Sequence, residues 1–189
     1  MHIEQEALFE LVCNTGEMSR DEYSLIANTI YSISPCNLLV FGAGRDSRLW
    51  HLLNRNGKTV FIESDERWFR KTIKKNEDIN IDIRFYTYKT KQAKWRYFLD
   101  HYEGLEMDQL DQDILDTQWD CILIDGPKSY TGRAPGRMQS IYQSYLFLEK
   151  DKEQFIFLHD IHRRAENTYS KKFFGEEYED VDHLRMYRI

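Results

Sequence analysis

Short apolar runs punctuate the chain from residue 37 onward, and most of them end on a glycine or an ionisable side chain. Asn37 to Phe41 (NLLVF) ends at Gly42, Thr59 to Ile62 (TVFI) at Glu63, Trp119 to Ile124 (WDCILI) at Asp125, and Phe155 to Leu158 (FIFL) at His159. Ile81 to Tyr86 is a fifth, more polar run. Runs of this length, rich in β-branched and aromatic residues, predict strands buried on both faces of a parallel sheet. Between them the rhythm becomes helical. Trp95, Phe98, Leu99 and Tyr102 make one apolar stripe, and Met138, Ile141, Tyr142, Tyr145 and Leu148 make another. Ahead of the first run, Ser19 and Glu22 have capping-box spacing, and Tyr23, Ile26, Ile30 and Ile33 continue as a buried stripe until Pro35. Strand and helix alternating in this way predict an α/β fold, a mostly parallel sheet with helices on both faces. His183 to Ile189 is expected to add a terminal strand. No repeat or linker interrupts the pattern, so residues 1–189 are expected to form a single domain, with helices over 1–34 and the core over 35–189.

Composition narrows the class. The 189 residues are 41% hydrophobic and 31% charged, with 9 Gly and 3 Pro, which excludes a disordered or collagen-like chain. No apolar run approaches the roughly 20 residues that span a bilayer. The acidic, amphipathic start MHIEQEALFELV reads as neither a signal nor a transit peptide, so a soluble cytoplasmic protein is expected. With 26 basic and 32 acidic side chains the formal charge is -6. That argues against general binding to nucleic-acid backbone and leaves room for a local basic patch. Cys13, Cys36 and Cys121 are isolated and form no CxxC pair, so they read as thiols of a reducing compartment rather than as a zinc ribbon or disulfide framework.

The chemistry lies at the ends of the runs. In an open α/β sheet ligands bind beyond the C-terminal ends of the strands, where Gly42, Glu63, Asp125, His159 and Asp160 all fall. Gly42 suits a tight turn and Gly44 a close approach of ligand to backbone. The helix that follows offers free N–H groups. Glu63, 19 residues after Gly44, is placed to accept hydrogen bonds from ribose hydroxyls. Ser47 stands where a dinucleotide fingerprint has its third glycine. A nucleoside cofactor without phosphates, S-adenosylmethionine, therefore fits better than NAD. Asp46, Ser47 and Asp65 are further candidate contacts, and Thr87 and Tyr88 are expected to border the adenine.

Asp125-Gly126-Pro127-Lys128 sets a carboxylate and an amine on one loop. The spacing resembles the D-x-x-K of metal-dependent catechol-type O-methyltransferases, in which the Asp holds a divalent cation and the Lys helps deprotonate the acceptor hydroxyl. A sugar hydroxyl loses its proton only far above neutral pH, so a base and a cation are needed to stabilise the developing alkoxide. His159 and Asp160 reach the same edge and join Asp125 as candidates for metal ligation or base duty. Oxygen ligands favour Mg or Mn, while the histidine admits Co or Zn. Two plainer readings stand beside these. Asp160 would cap the next helix, and Arg133, Arg137, Arg163 and Arg164 would be a solvated face rather than a grip on an anionic acceptor.

PCNLLVFGAGRDSRLW, TVFIESDERWF, IDGPKSYTGRAPGRMQSIY and FLHDIHRRAENTYSKKF together resemble the plant glucuronoxylan 4-O-methyltransferase family and the related irregular-xylem proteins of xylan biosynthesis. The resemblance runs from about Met18 to the C-terminus. It implies a Rossmann-like class I methyltransferase that moves a methyl group from S-adenosylmethionine to a sugar hydroxyl of a glycan, assisted by a divalent metal. Carried over by motif, Gly42, Gly44, Asp46, Ser47 and Glu63 bind cofactor. Asp125, Lys128, His159 and Asp160 form the catalytic edge, and Tyr130, Arg133, Arg137, Arg163 and Arg164 meet the acceptor. Two departures stand out. A Golgi anchor like that of the plant proteins is not expected from this sequence, and Ile161 stands where catechol-type enzymes supply an amide ligand. The alternatives are a small-molecule, catechol-type O-methyltransferase and a non-catalytic domain that stacks sugars on its Tyr and Trp side chains.

Overall fold

A computed structural model describes residues 3–189. All five apolar runs are strands: β1 (Asn37–Phe41), β2 (Lys58–Glu63), β3 (Asp82–Phe85), β4 (Cys121–Ile124) and β5 (Phe155–Leu158). They pair in parallel. With β6 (Glu179–Val181) and β7 (Leu184–Arg188) they make a seven-stranded sheet in the order β3-β2-β1-β4-β5-β7-β6. The chain winds outward from β1 to β3, then returns to the other side of β1 as β4. At that reversal the loops after β1 and β4 diverge and leave a crevice over the C-terminal strand ends.

The central runs lack polar alternation because both faces of their strands are covered. Leu39, Phe41, Ile122, Ile124, Ile156 and Leu158 enter one core, which Trp119, Met138, Ile141 and Tyr169 complete. Leu38, Val40, Leu123 and Phe157 enter the other, against Tyr23, Ile26, Ile30 and Trp50. The helices sort accordingly. α1 (Ile3–Cys13), α2 (Arg20–Ile33) and α3 (Ser47–Leu53) cover the second face; α6 (Gln112–Leu115), α7 (Met138–Leu146) and α8 (Arg164–Phe174) cover the first. Burying side chains of this size contributes about 1.5–3 kcal/mol each, so the two cores fix the sheet on which the site is built. The capping box at α2 is formed in both directions: Ser19 Oγ accepts from Glu22 N at 3.2 Å, and Glu22 Oε2 accepts from Ser19 N at 2.6 Å.

Three details differ from the expectation. The helical stripe from Trp95 to Tyr102 is divided: α5 (Trp95–Asp100) stops, and Tyr102–Leu105 forms a separate 3₁₀ turn. The His101 ring meets the Tyr97 carbonyl at 2.9 Å, taking the acceptor that a continuing helix would have used. The terminal strand β7 is present but antiparallel to β5, and it is preceded by β6, which the pattern did not predict. Asp182, at φ 50, turns the tight β6–β7 connection. All three cysteines are free, as expected of packing thiols. No helix among the described residues is long and apolar enough to cross a membrane.

Candidate active site

A cavity of about 450 Å³ opens over the crevice between β1 and β4, within the range typical of small-molecule sites. Gly42, Gly44, Asp46, Glu63 and Asp65 line one side of it. Asp125, Lys128, Tyr130, His159, Asp160 and Arg163 line the other. Arg137, largely buried, also lines it. Ser47, Thr87, Arg133 and Arg164 are not among the lining residues. Ser47 is buried and accepts a hydrogen bond from Gly44 N at 2.9 Å, shaping the loop from behind. Thr87 and Arg133 are exposed, and Arg164 lies over the Trp95 ring at 5.9 Å.

The glycine turn is built by strand proximity. Gly42 has φ 107, and a Cβ there would meet Gly126 N at 3.1 Å, so the ends of β1 and β4 approach as closely as two glycines allow. Glu63, at the end of β2, closes the turn from the other side. Its carboxylate accepts from Ala43 N at 2.8 Å, Ser64 N at 2.6 Å and Asp65 N at 2.5 Å. Burial pushes its pKa up and these three N–H groups pull against that, with a net rise. A carboxylate has about four lone-pair sites, so acceptor capacity towards the cavity remains. Asp46 accepts from Trp50 Nε1 at 3.0 Å and has no cationic partner among the described residues. Burial and the charge of Asp125 raise its pKa to about 7. A carboxylate held in this state favours a positively charged ligand group.

On the opposite side, β5 runs into Asp160, whose φ of 66 is unusual for a residue other than glycine. It does not cap α8, which begins at Arg164 with Arg163 at its N-cap. Asp160 Oδ2 instead meets Arg137 Nη2 at 2.7 Å and Arg163 Nη1 at 2.8 Å. His159 Nδ1 lies 3.0 Å from Asp125 Oδ1, and its Nε2 lies 3.5 Å from Glu22 Oε1. Burial lowers the imidazole pKa, but the hydrogen bond and charge of Asp125, with the charge of Asp160, outweigh it and the net shift is upward. Asp125 moves the other way: burial raises its pKa, and His159 and Arg137 bring it below the usual value.

Potential ligand atoms of Asp125, His159 and Asp160 all lie within 4.8 Å of one another. Among the described residues, Asp125 Oδ2 and Asp160 Oδ1 accept no hydrogen bond, so an oxygen of each carboxylate is free for a ligand. Two carboxylates and an imidazole are a suitable donor set for a divalent cation.

Two residues differ from the roles expected of them. Lys128 donates to Asp65 Oδ2 at 2.5 Å, and that hydrogen bond raises its pKa, so it stands in the site as an ammonium paired with the residue that caps α4 (Glu66–Lys75). Arg137 lines the cavity but is only 4% exposed, and its Nε, Nη1 and Nη2 donate to oxygens of the protein itself. Sequence reasoning missed Glu17, Trp68 and the second role of Glu22. Glu17 lies between two helices with no pattern to mark it. Trp68 sits in the first turn after the acidic end of β2, where an aromatic residue is a usable signal. Glu22 was accounted for entirely by its cap.

Residues 21–104 and 96–188 match the family model IRX15/IRX15L/GXM. The chain belongs to that family. It is 32% identical over 184 residues to Arabinogalactan O-methyltransferase 2 of Arabidopsis thaliana, covering 86% of this chain and 62% of the relative. It is 33% identical over 193 residues to Glucuronoxylan 4-O-methyltransferase 2 of the same plant, covering 93% and 67%. The chain thus spans a little over three-fifths of the first of these relatives. Among solved structures it resembles a putative caffeoyl-CoA O-methyltransferase from Staphylococcus aureus, with TM-score 0.60, 13% identity and coverage of 99% and 92%. A methyltransferase-like protein from Silicibacter pomeroyi matches with TM-score 0.52, 13% identity and coverage of 87% and 84%. The IRX15/IRX15L/GXM chain therefore has the Rossmann-like class I methyltransferase fold that its strand order and switch-point cavity express.

Proposed function

We propose that this chain is one catalytic domain that transfers a methyl group from S-adenosylmethionine to a hydroxyl of a glycan carrying acidic sugars. The observation that carries the reading is that Gly42, Gly44, Asp46 and Glu63 line one cavity together with Asp125, His159 and Asp160. Glu63 and the Gly42–Gly44 turn would hold the nucleoside, and Asp46 the positively charged amino-acid end. Asp125 and His159, hydrogen-bonded to each other, would take the hydroxyl proton as a pair. Lys128, released from Asp65, would place its charge beside the developing alkoxide. Holding cofactor and acceptor in line accounts for much of the rate, since orientation alone can contribute about 7 kcal/mol or more. Asp125, His159 and Asp160 would hold a divalent cation, which when bound supplies Lewis-acid stabilisation of the acceptor oxygen.

Charge favours an acidic acceptor over a neutral one. Arg163 lines the cavity, and Lys91, Lys94, Arg96, Arg133 and Arg164 form no ion pair with any described residue. The segment bearing Lys91, Lys94 and Arg96 is tied to the Tyr130 loop by Gln92 N to Ala134 O at 2.7 Å and Ala93 N to Gly132 O at 3.1 Å. In a chain of formal charge -6, cations on and next to the loop that carries Tyr130 suit a carboxylated sugar polymer. The names of the relatives support the same substrate class. Labelled S-adenosylmethionine offered with acidic oligosaccharides, neutral oligosaccharides and catechols tests the reading. Label is expected in the acidic oligosaccharides. Transfer to catechols alone would favour a small-molecule methyltransferase, and transfer to none would favour a glycan-binding domain.

A further inference from the structure

Arg137 occupies a position that the methyl-transfer reading leaves unexplained. It follows the Gly132–Gly136 loop, is buried, and directs every donor it uses inward. Nε donates to Pro127 O at 3.4 Å and Nη1 to His159 O at 2.5 Å. Nη2 donates to Asp125 O at 3.0 Å and Asp125 Oδ1 at 3.0 Å, and it meets Asp160 Oδ2 at 2.7 Å. One nitrogen therefore bridges the two carboxylates that would share a cation.

Two carboxylates this close in a partly buried site repel one another unless positive charge lies between them. Arg137 supplies that charge permanently, because a guanidinium does not lose its proton in a protein. A divalent ion bound between the same carboxylates would be repelled by the guanidinium and would have to work from the oxygens that Arg137 leaves free. Fork geometry matters too, since only a planar guanidinium spans the Pro127 and His159 carbonyls and both acids at once.

We propose that Arg137 is a positioning residue that acts as the built-in cation of this site: it holds Asp125 and Asp160 in their catalytic places when no metal is bound, and it keeps the affinity for divalent ions low. The proposal rests on reading Asp125, His159 and Asp160 as the reacting edge. Its test does not depend on S-adenosylmethionine binding, so the two can fail separately.

The test is a titration of the full chain with Mn, read by electron paramagnetic resonance, for the unsubstituted protein, Arg137→Gln and Arg137→Lys. Thermal melts and circular dichroism establish which variants are folded. With the competing charge removed, Arg137→Gln is expected to bind Mn about tenfold more tightly or better. Arg137→Lys, which keeps a charge but spans fewer acceptors, is expected to fall between the two. A purely structural arginine would leave Mn affinity unchanged or weaken it, and that result in a folded variant would overturn the proposal. The unsubstituted protein gives an independent reading. The Arg137 Nε–H proton is expected to exchange with solvent far more slowly than those of exposed arginines in metal-free buffer, and exchange at the exposed rate would overturn the proposal without any variant.

Discussion

At the scale of single residues, the electrostatics of the cavity make the sharpest predictions. Asp46 titrates near 7 because burial and Asp125 disfavour its charge. Protonation would remove its attraction for a cationic ligand, so affinity for S-adenosylmethionine should fall as pH drops through 7. Calorimetric titration should give binding roughly tenfold weaker at about pH 6 than at about pH 8, and Asp46→Asn should flatten the dependence. Linkage fixes a second sign. The folded-state pKa lies above the ordinary carboxylate value, so this group's stabilising contribution is present at low pH and lost as pH rises towards 7. Asp46→Asn should therefore melt higher than the unsubstituted ligand-free protein at about pH 8, and the difference should vanish near pH 4. Lys128 has the opposite character. Its pairing with Asp65 keeps it charged, so Lys128→Arg should retain more methyl transfer than Lys128→Ala, as measured by initial rates with saturating cofactor. Legibility at this scale was uneven. Asp125, His159 and Asp160 announced themselves as strand-end acids and an imidazole. Which of four nearby arginines turns inward was not legible, because Arg137 and Arg163 look alike in sequence and differ only in the backbone path of the Gly132–Gly136 loop. Glu22 was hidden for another reason. One of its oxygens closes the capping box and the other accepts from His183 N at 2.8 Å while facing His159, a link across the fold that local spacing cannot express.

The elements carry constraints of their own. β1 and β4 are drawn together by Gly42 and Gly126, and a Cβ on Gly126 would lie 2.7 Å from Gly42 Cα and 2.8 Å from Gly42 N. Backbone cannot yield as a side-chain tip can. Gly126→Ala should cost about 1–3 kcal/mol in urea unfolding and open the crevice, weakening cofactor binding as well. Gly44→Ala should behave differently, since its nearest obstacle is the Asp46 side chain at 3.1 Å. It is expected to leave the unfolding midpoint nearly unchanged while reducing cofactor affinity. The central strands were legible because burial on both faces makes a continuous apolar run. β1 and β5 fall on their predicted bounds for that reason. β6 was illegible because three exposed or half-exposed residues, Glu179, Asp180 and Val181, carry neither periodicity nor apolar content. Its pairing comes from β7, and its Asp180 is held by buried Arg185 at 2.7 Å. The break after α5 was hidden likewise, since the His101 ring and not a proline or glycine ends that helix.

At the scale of the whole molecule, an overall negative charge coexists with cations on the segments that meet the Tyr130 loop, which the proposed reading assigns to an acidic acceptor. Binding of an acidic oligosaccharide should therefore weaken as salt rises, while binding of S-adenosylmethionine, which the proposed reading places within the crevice, should change much less. The fold brings the β1 turn, the β2 acid and the β4–β5 edge to one cavity although its lining is spread from Glu17 to Arg163 in sequence. That convergence is the core of the account, and cofactor binding tests it most directly. Calorimetric titration of S-adenosylmethionine into the unsubstituted chain and into Glu63→Ala is the measurement to make. Saturable binding at one site, weakened about tenfold or more when the Glu63 carboxylate is removed, is the predicted result. No saturable binding to the unsubstituted chain, or equal binding by both proteins, would contradict it.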